Sequence, residues 1–384
     1  MYVSRVIIRN WRNFTKADVS FQETVYLIGP NASGKSNFLD IFRFMRDIVN
    51  PNGGGLQPAI ASRGGVNNVR SLAARQQPQI QLEFELRASL ASRDTPPDWR
   101  YVLWIGQEGK GKHRPIVLRE EAHKGKRMLF ARPDEQDKAD PERLTQTHLE
   151  QINMNRKFRE IASFFEQVLY LHLVPQLLKF GGGFSISQWG SDPFGQRLLE
   201  GMEETERNTR ESRMKVIEEI LLKVIPNLEE LRFVKEEVTR RPHLEMRYKH
   251  WRPNAGWQRE DQFSDGTLRL IAMLWTVFSS NSMILLEEPE LSLHKRVVEQ
   301  IPDLIYKIRQ CRTKPGGQIL ISTHSEIMLS SQSIDGNFLI LRPSDYGKAT
   351  SIDEPTEQDK AAMCAGLSPA DVLLPKTGAA IQRV

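Results

Sequence analysis

The residues best suited to chemistry in this 384-residue chain lie in one short turn, residues 29–36. The turn reads Gly, four residues, then Gly-Lys-Ser, a pattern that wraps backbone N–H groups around phosphate oxygens. Lys35 is expected to reach the β- and γ-phosphates of a nucleotide, and the Ser36 hydroxyl to bind Mg²⁺. The predicted nucleotide-binding residues are Gly29, Pro30, Asn31, Ala32, Ser33, Gly34, Lys35, Ser36 and Asn37.

The flanks of this turn have the composition that the pattern requires. Apolar residues 25–28 predict a buried strand before it, and Phe38, Phe42 and Met45 follow at helical spacing. A glycine-rich turn that binds nothing is the alternative. A strand, a loop and a helix in this order favour phosphate binding over that alternative.

Two adjacent carboxylates, Glu287 and Glu288, follow the apolar run 283–286. At the end of a buried strand beside bound phosphates, one such acid holds Mg²⁺ and the next polarises the attacking water. Glu287 takes the first role and Glu288 the second. The alternative is the acidic first turn of a helix, where Glu and Pro are both common. The presence of residues 29–36 favours the catalytic interpretation.

Two further polar positions could contact a phosphate. His324 follows the apolar strand predicted at 318–322 and could hydrogen-bond a γ-phosphate or the attacking water; a structural or capping histidine is the alternative. Ser264 precedes a helix predicted from Gly266, and its role as N-cap explains it fully. A helix N-terminus with a hydroxyl is also an anion site.

Composition and charge limit the class of protein. Charged residues make up 26% of the chain and the net charge is +5, which permits nucleic-acid binding without requiring it. Cys311 and Cys364 have no metal-ligand spacing and indicate a reducing compartment. No apolar run approaches the ~18 residues that span a bilayer. We therefore expect a cytoplasmic protein with no membrane contact.

The four motifs resemble those of ABC-type ATPases, which implies binding of ATP and Mg²⁺. In chain order they are similar to the Walker A motif (29–36), the signature (264–266), Walker B (286–290) and the switch histidine (322–325). Residues 8–14 and 287–294 resemble more narrowly the RecF and SMC-like branch, which includes ATPases of anti-phage systems and the overcoming-lysogenisation-defect nucleases. Residues 53–260 match that branch weakly or not at all.

The resemblance implies an α/β fold: a P-loop NTPase head with a mixed core sheet and an inserted helical lobe. Strands alternating with helices independently favour an α/β core. The predicted lobes are a nucleotide-binding lobe with a β meander (1–150), a mainly helical insertion (151–262) and a signature and Walker B lobe (263–384). Within them the charged residues 109–141 are expected to be largely loop, and residues 200–224 a single helix.

The resemblance also implies a mechanism in which two heads sandwich two ATP molecules. Ser264 and Gly266 of one protomer would close on the γ-phosphate held by Lys35 of the other, and hydrolysis would reopen the dimer. Arg12 matches an arginine that lies near the phosphates in the family. Gln176 is the candidate for the metal-binding Q-loop glutamine, and a surface glutamine is the alternative.

Three departures from the transporter pattern argue against a transporter. Asp265 replaces a glycine of the signature and places a carboxylate near phosphate, Glu287 stands where aspartate is commoner, and His294 stands where transporters carry aspartate.

The sequence leaves the partners open. A homodimer or higher homo-oligomer is expected, and residues 353–384 are too few for a TOPRIM nuclease domain, so an effector or nuclease would be a separate chain. The alternative is a slowly hydrolysing scaffold that holds an effector inactive. Residues 240–252 and Trp257 interleave bases and aromatics as single-strand binders do, which allows DNA or RNA as a partner. The same alternation describes a two-faced strand.

Overall fold

The computed structural model describes residues 1–74, 78–91, 95–109, 111–180, 195, 197–250, 256–311, 317–331, 334–344 and 349–378. Its strands are β1 (Tyr2–Trp11), β2 (Phe14–Ser20), β3 (Thr24–Ile28), β4 (Ile80–Arg87), β5 (Trp99–Gln107), β6 (Pro115–Lys124), β7 (Arg127–Arg132), β8 (Leu169–Leu171), β9 (Leu228–Lys235), β10 (Pro242–Tyr248), β11 (Gln258–Arg259), β12 (Ile284–Glu287), β13 (Ile319–Thr323), β14 (Asn337–Pro343) and β15 (Thr350–Asp353).

The α-helices are α1 (Lys35–Val49), α2 (Leu56–Ala61), α3 (Val66–Val69), α4 (Glu135–Ala139), α5 (Arg159–Glu166), α6 (Pro175–Phe180), α7 (Leu198–Glu204), α8 (Arg207–Val224), α9 (Asp265–Ser279), α10 (Lys295–Gln310), α11 (Glu326–Leu329), α12 (Glu357–Cys364) and α13 (Pro369–Leu373). Within the described ranges, no helix combines the length and apolar character needed to cross a membrane.

The chain divides into two compact units. Unit 1 comprises Met1–Val168, Gly317–His324 and Gly336–Val384, and unit 2 comprises Leu169–Gly316 and Ser325–Asp335. The chain therefore leaves unit 1 after Val168, forms most of unit 2, and later contributes two further segments to unit 1.

Unit 1 contains two groups of strands around helix α1. An antiparallel sheet has the order β2-β1-β4-β5-β6-β7, and β3 pairs in parallel with both β13 and β14, with β15 antiparallel at the outer edge of β14. The buried face of α1 packs on the antiparallel sheet through aromatic rings: Phe38 contacts Phe21, and Phe42 contacts Phe84 of β4. This packing fixes the helix that begins at Lys35.

The expectation of a largely loop-like stretch at residues 109–141 is wrong, because β6, β7 and α4 together occupy most of it. The charges that suggested a loop are partly buried and paired. The Glu120 carboxylate, fully buried, accepts hydrogen bonds from the Tyr101 hydroxyl (2.9 Å), the Arg132 guanidinium (3.1 Å) and the His148 N–H (2.8 Å). A buried carboxylate is compatible with a sheet when its oxygens are satisfied in this way.

Unit 2 is richer in helix and has its own small antiparallel sheet, β11-β10-β9, while β8 pairs in parallel with β12. The single helix predicted at residues 200–224 is two helices. Glu206 lies between them, and its side chain accepts hydrogen bonds from the N–H groups of Asn208 and Thr209. The Glu206 carboxylate therefore caps the N-terminus of a new helix, α8. The glycine-rich stretch 181–183 lies outside the described residues.

The basic and aromatic stretch from Arg240 includes β10, which is a two-faced strand. Leu244 is buried on one face, whereas Arg247 on the other face pairs with Glu230 at 2.8 Å. Residues 251–252 lie outside the described residues. Arg247, the one arginine of β10, is thus engaged by acids, which favours the structural alternative over nucleic-acid binding at β10.

Candidate nucleotide-binding site

The glycine turn predicted from the sequence joins β3 to α1 in unit 1. Gly34 has a φ of 99°, in the left-handed region, and a Cβ at this position would lie 2.1 Å from the Asn13 side-chain nitrogen. Only glycine can adopt this conformation so close to a neighbouring side chain. The curl that brings the turn's backbone around a phosphate therefore depends on Gly34.

Lys35, the first residue of α1, reaches back over this turn. Its ammonium donates hydrogen bonds to the carbonyl oxygens of Gly29 (2.8 Å) and Pro30 (3.0 Å), and the residue is only 5% exposed. The Ser33 hydroxyl is also buried and has no hydrogen-bond partner among the described residues. A buried cation and an unsatisfied hydroxyl are groups that phosphate oxygens satisfy. The turn therefore fits a nucleotide phosphate, and Ser36 directly after Lys35 fits the role of Mg²⁺ ligand.

His324 lies at the same edge of unit 1 as this turn. Strand β13 runs parallel to β3 with Thr323 opposite Ile28, and these are the last residues of the two strands. Both strands end at one edge, where parallel sheets bind their ligands. The exposed His324 therefore follows the strand directly beside the one that leads into the glycine turn.

Asn13, which the sequence did not single out, links the turn to two other elements. Its amide nitrogen donates to the Ser33 carbonyl (3.1 Å) and the Thr350 hydroxyl (2.7 Å), and its oxygen accepts from the Asn37 amide (2.8 Å). Asn37 thus has its side chain directed to Asn13. The only sequence observation that pointed to Asn13 was the resemblance of residues 8–14 to the RecF and SMC-like branch.

Arg12 is held against α1 by an acid. Its guanidinium donates to the Asp40 carboxylate at 2.9 Å, and Arg63 binds the same carboxylate at 2.9 Å. Burial raises the pKa of Asp40, but the charges of Arg63 and Arg12 outweigh it and hold the pKa below its usual value. Asp40 is therefore ionised. It lies in α1 five residues after Lys35, and it holds the Arg12 side chain against this helix.

The two predicted catalytic carboxylates lie in unit 2 at the end of β12. Glu287 is the last residue of the strand, and Glu288 follows with a φ of 44°. A left-handed conformation at a non-glycine residue costs about 1–3 kcal/mol and is commonest at functional sites. The Tyr170 hydroxyl of the neighbouring strand β8 donates to the Glu287 carboxylate. Tyr170 was missed because nothing in the apolar run around it distinguishes it from a core residue.

The signature residues open helix α9, also in unit 2. Ser264 caps the helix, its hydroxyl accepting from the Thr267 N–H at 3.1 Å. A Cβ at Gly266 would lie 2.6 Å from the Ser292 carbonyl oxygen, so the segment after the acids approaches the helix too closely for any other residue. Ser264, Gly266 and His294 line a cleft of about 370 Å³.

Asp265, between them, contacts helix α6. Its carboxylate accepts hydrogen bonds from the Lys179 ammonium (2.8 Å) and the Gln176 amide (2.9 Å). Lys179 therefore compensates the negative charge of Asp265, and Gln176 contacts the first residue of α9. Lys179 carried no motif and could not be identified from the sequence.

Comparisons with known proteins agree with this architecture. Residues 25–330 match the family described as "AAA domain, putative AbiEii toxin, Type IV TA system". An SMC head bound to the winged-helix domain of ScpA is similar with a TM-score of 0.57 at 15% identity, covering 94% of this chain and 100% of that one. No curated protein sequence matches the chain.

A second solved structure, an SMC head domain with an extended coiled coil bound to the C-terminal domain of ScpA from Pyrococcus furiosus, has a TM-score of 0.52 at 13% identity. It covers 95% of this chain and 98% of that one. These similarities confirm the predicted α/β fold as that of SMC-type ATPase heads, a P-loop fold. The family match covers most of the sequence, and the chain therefore belongs to the AAA-domain family of putative AbiEii toxins.

Proposed function

We propose that this chain binds and hydrolyses ATP with Mg²⁺, and that ATP joins two copies head to tail. The observation that carries the proposal is that the chain has two groups of residues suited to hold a phosphate. One is the glycine turn with buried Lys35, and the other is the cleft at the N-terminus of α9, lined by Ser264 and Gly266. In the proposed dimer the second element of each copy closes on the γ-phosphate held by the first element of the other.

Each residue then has a defined task. Lys35 would bind the β- and γ-phosphates. Ser36 and Glu287 would be ligands of the metal ion, with Gln176 as a further candidate ligand. Mg²⁺ supplies charge neutralisation at the phosphates. The hydroxyl of Tyr170 orients the Glu287 carboxylate.

The remaining residues act on the proton and the γ-phosphate. Glu288 accepts the proton of the attacking water, which general-base catalysis requires. His324 donates a hydrogen bond to the γ-phosphate. Arg12, held by Asp40, adds positive charge near the phosphates.

The dimer would act in nucleic-acid processing or anti-phage defence in the cytoplasm, through a separate effector or nuclease. Two similar SMC heads were solved bound to domains of ScpA, which supports partner binding by a head of this fold.

The second candidate is a slowly hydrolysing ATP-gated scaffold. The hydrogen bonds of Lys35 to the turn's own carbonyls favour it, because the phosphate must displace them. Steady-state turnover with and without DNA separates the two.

Sedimentation velocity tests the dimer directly. The wild-type chain with ATP and Mg²⁺ should sediment as a dimer, and with ADP or no nucleotide as a monomer. Lys35→Ala should remain monomeric in ATP because its phosphate contacts are lost. ATP-dependent dimerisation of Lys35→Ala, or no dimerisation of the wild type, contradicts the proposal.

Lys179→Met should weaken the ATP-dependent dimer severalfold, because Asp265 would then place an uncompensated carboxylate beside the incoming phosphate. Adding Asp265→Asn should restore most of the loss, since the two residues are in contact and their effects are coupled. The dimer dissociation constant in ATP, measured for both variants, decides between these outcomes. Equal weakening in the single and double variants would show that Lys179 acts in another way.

A further inference from the structure

The exposed face of the antiparallel sheet in unit 1 carries a line of side chains that are not part of the glycine turn. Strand register places Lys16 opposite Arg9, Arg9 opposite Gln81, Gln81 opposite Trp104, and Trp104 opposite Arg119. Directly opposed residues share one face of a sheet. At about 4.8 Å between strands, this cross-strand row of five residues extends roughly 19 Å.

One end of the cross-strand row is positively charged. Lys16 and Arg9 are exposed, and neither side chain forms a hydrogen bond or a close ion pair with another described residue. The charge of Lys16 acts on Asp18 of the same strand only at longer range. Acids on the same face are already engaged by arginines: Asp18 by Arg5 (2.7 Å), Glu83 by Arg100 (2.5 Å) and Glu121 by Arg119 (2.7 Å). The charges of Lys16 and Arg9 are therefore available to an anionic partner.

The other end presents an aromatic ring beside amides. Trp104 is partly exposed, and the Arg119 guanidinium lies 4.8 Å from its ring centroid. Gln79, Gln81 and Trp104 line a cleft of about 440 Å³. A flat ring supplies a stacking platform for a base, and an amide can hydrogen-bond the edge of that base.

We propose that the cross-strand row binds single-stranded nucleic acid. One base stacks on Trp104 next to the Gln81 amide, while phosphates of the same strand contact Arg9 and Lys16. A single strand fits better than a duplex, because its bases are free to stack on the protein. An acidic protein segment would use the cations but would not need a partly exposed indole beside two amides. This inference deepens the nucleic-acid part of the proposed function.

Fluorescence anisotropy with a fluorescein-labelled oligothymidylate, in the absence of ATP and over a range of salt concentrations, tests the inference. Arg9→Ala and Lys16→Ala should each weaken binding and reduce the steepness of log K against log salt by about 0.7, as loss of one phosphate contact does. Trp104→Leu should weaken binding roughly tenfold and leave the salt slope unchanged, because stacking involves no counterion release.

Lys157→Ala is the matched control, since it removes one exposed positive charge of unit 1 outside the row and should leave binding unchanged. Unchanged affinity in Trp104→Leu, equal binding of duplex DNA, or equal competition by poly-glutamate would overturn the inference. The far-UV spectrum and unfolding temperature of each variant establish that it is folded.

Lys35→Ala keeps this inference separate from the proposed ATP dimer. We expect that variant to bind the oligonucleotide as tightly as the wild type. Wild-type chain that binds the oligonucleotide but never dimerises in ATP would contradict the dimer alone. Wild-type chain that dimerises in ATP but does not bind the oligonucleotide would contradict the cross-strand row alone.

Discussion

Glu288→Gln is expected to lower the steady-state rate of ATP hydrolysis by about 10²- to 10⁴-fold, the usual contribution of a general base. Glutamine has nearly the same shape as glutamate but cannot accept the proton of the attacking water. The position follows β12 directly and has a φ of 44°, a conformation that holds the side chain at the end of the strand. Binding of ATP should persist, because the phosphate contacts of Lys35 are unchanged.

The same variant should accumulate as an ATP-bound dimer, because hydrolysis no longer reopens it. Phosphate release measures the turnover, and sedimentation in ATP measures the dimer. Glu299→Gln makes the same chemical change at an exposed position of α10 and serves as the control. Hydrolysis by Glu288→Gln at the wild-type rate would remove Glu288 from the role of base. A wild-type rate already as low as that of the variant would favour the slowly hydrolysing scaffold.

The glycine turn could be predicted from the sequence because its chemistry is local. Nine consecutive residues supply the backbone curl, the lysine and the hydroxyl, and the strand and helix on either side are recognisable from their own hydrophobic spacing. The pairing of β13 with β3 then brings His324 to the same edge. Motifs at the ends of buried parallel strands are predictable because each is recognisable locally and because the parallel strands end at one edge of the sheet.

Residues that position those motifs could not be predicted, because they meet them only through tertiary pairing. Tyr170 is 117 residues from Glu287 and contacts it because β8 lies beside β12. Lys179 is 86 residues from Asp265. The full length of β6 was not predicted for a related reason, since the charge of Glu120 suggests solvent until its buried partners are known. The spacing of apolar and polar residues along the chain does not reveal which distant residues come into contact.

An equal mixture of Lys35→Ala and Gly266→Ala subunits should recover ATP hydrolysis that neither variant has alone. A Cβ at Gly266 would lie 2.6 Å from the Ser292 carbonyl oxygen, so this substitution displaces the signature without touching the glycine turn. If each site combines the turn of one copy with the signature of the other, a heterodimer has one doubly defective site and one intact site. Each mixed dimer has one intact site. Because Lys35→Ala does not dimerise with itself, the recovered activity is expected to lie between roughly a quarter of the wild-type value, for random pairing, and roughly half, for exclusively mixed pairing.

The informative control is a mixture of Lys35→Ala with Glu288→Gln. In the head-to-tail arrangement both of these residues serve the site of their own chain, so every site in the mixed dimer carries one defect and no activity should return. Phosphate release from subunits mixed before ATP is added measures both cases. Recovery in neither mixture would contradict a site shared between copies. Recovery in the Lys35→Ala and Glu288→Gln mixture would show that the base of one copy acts on the nucleotide held by the glycine turn of the other.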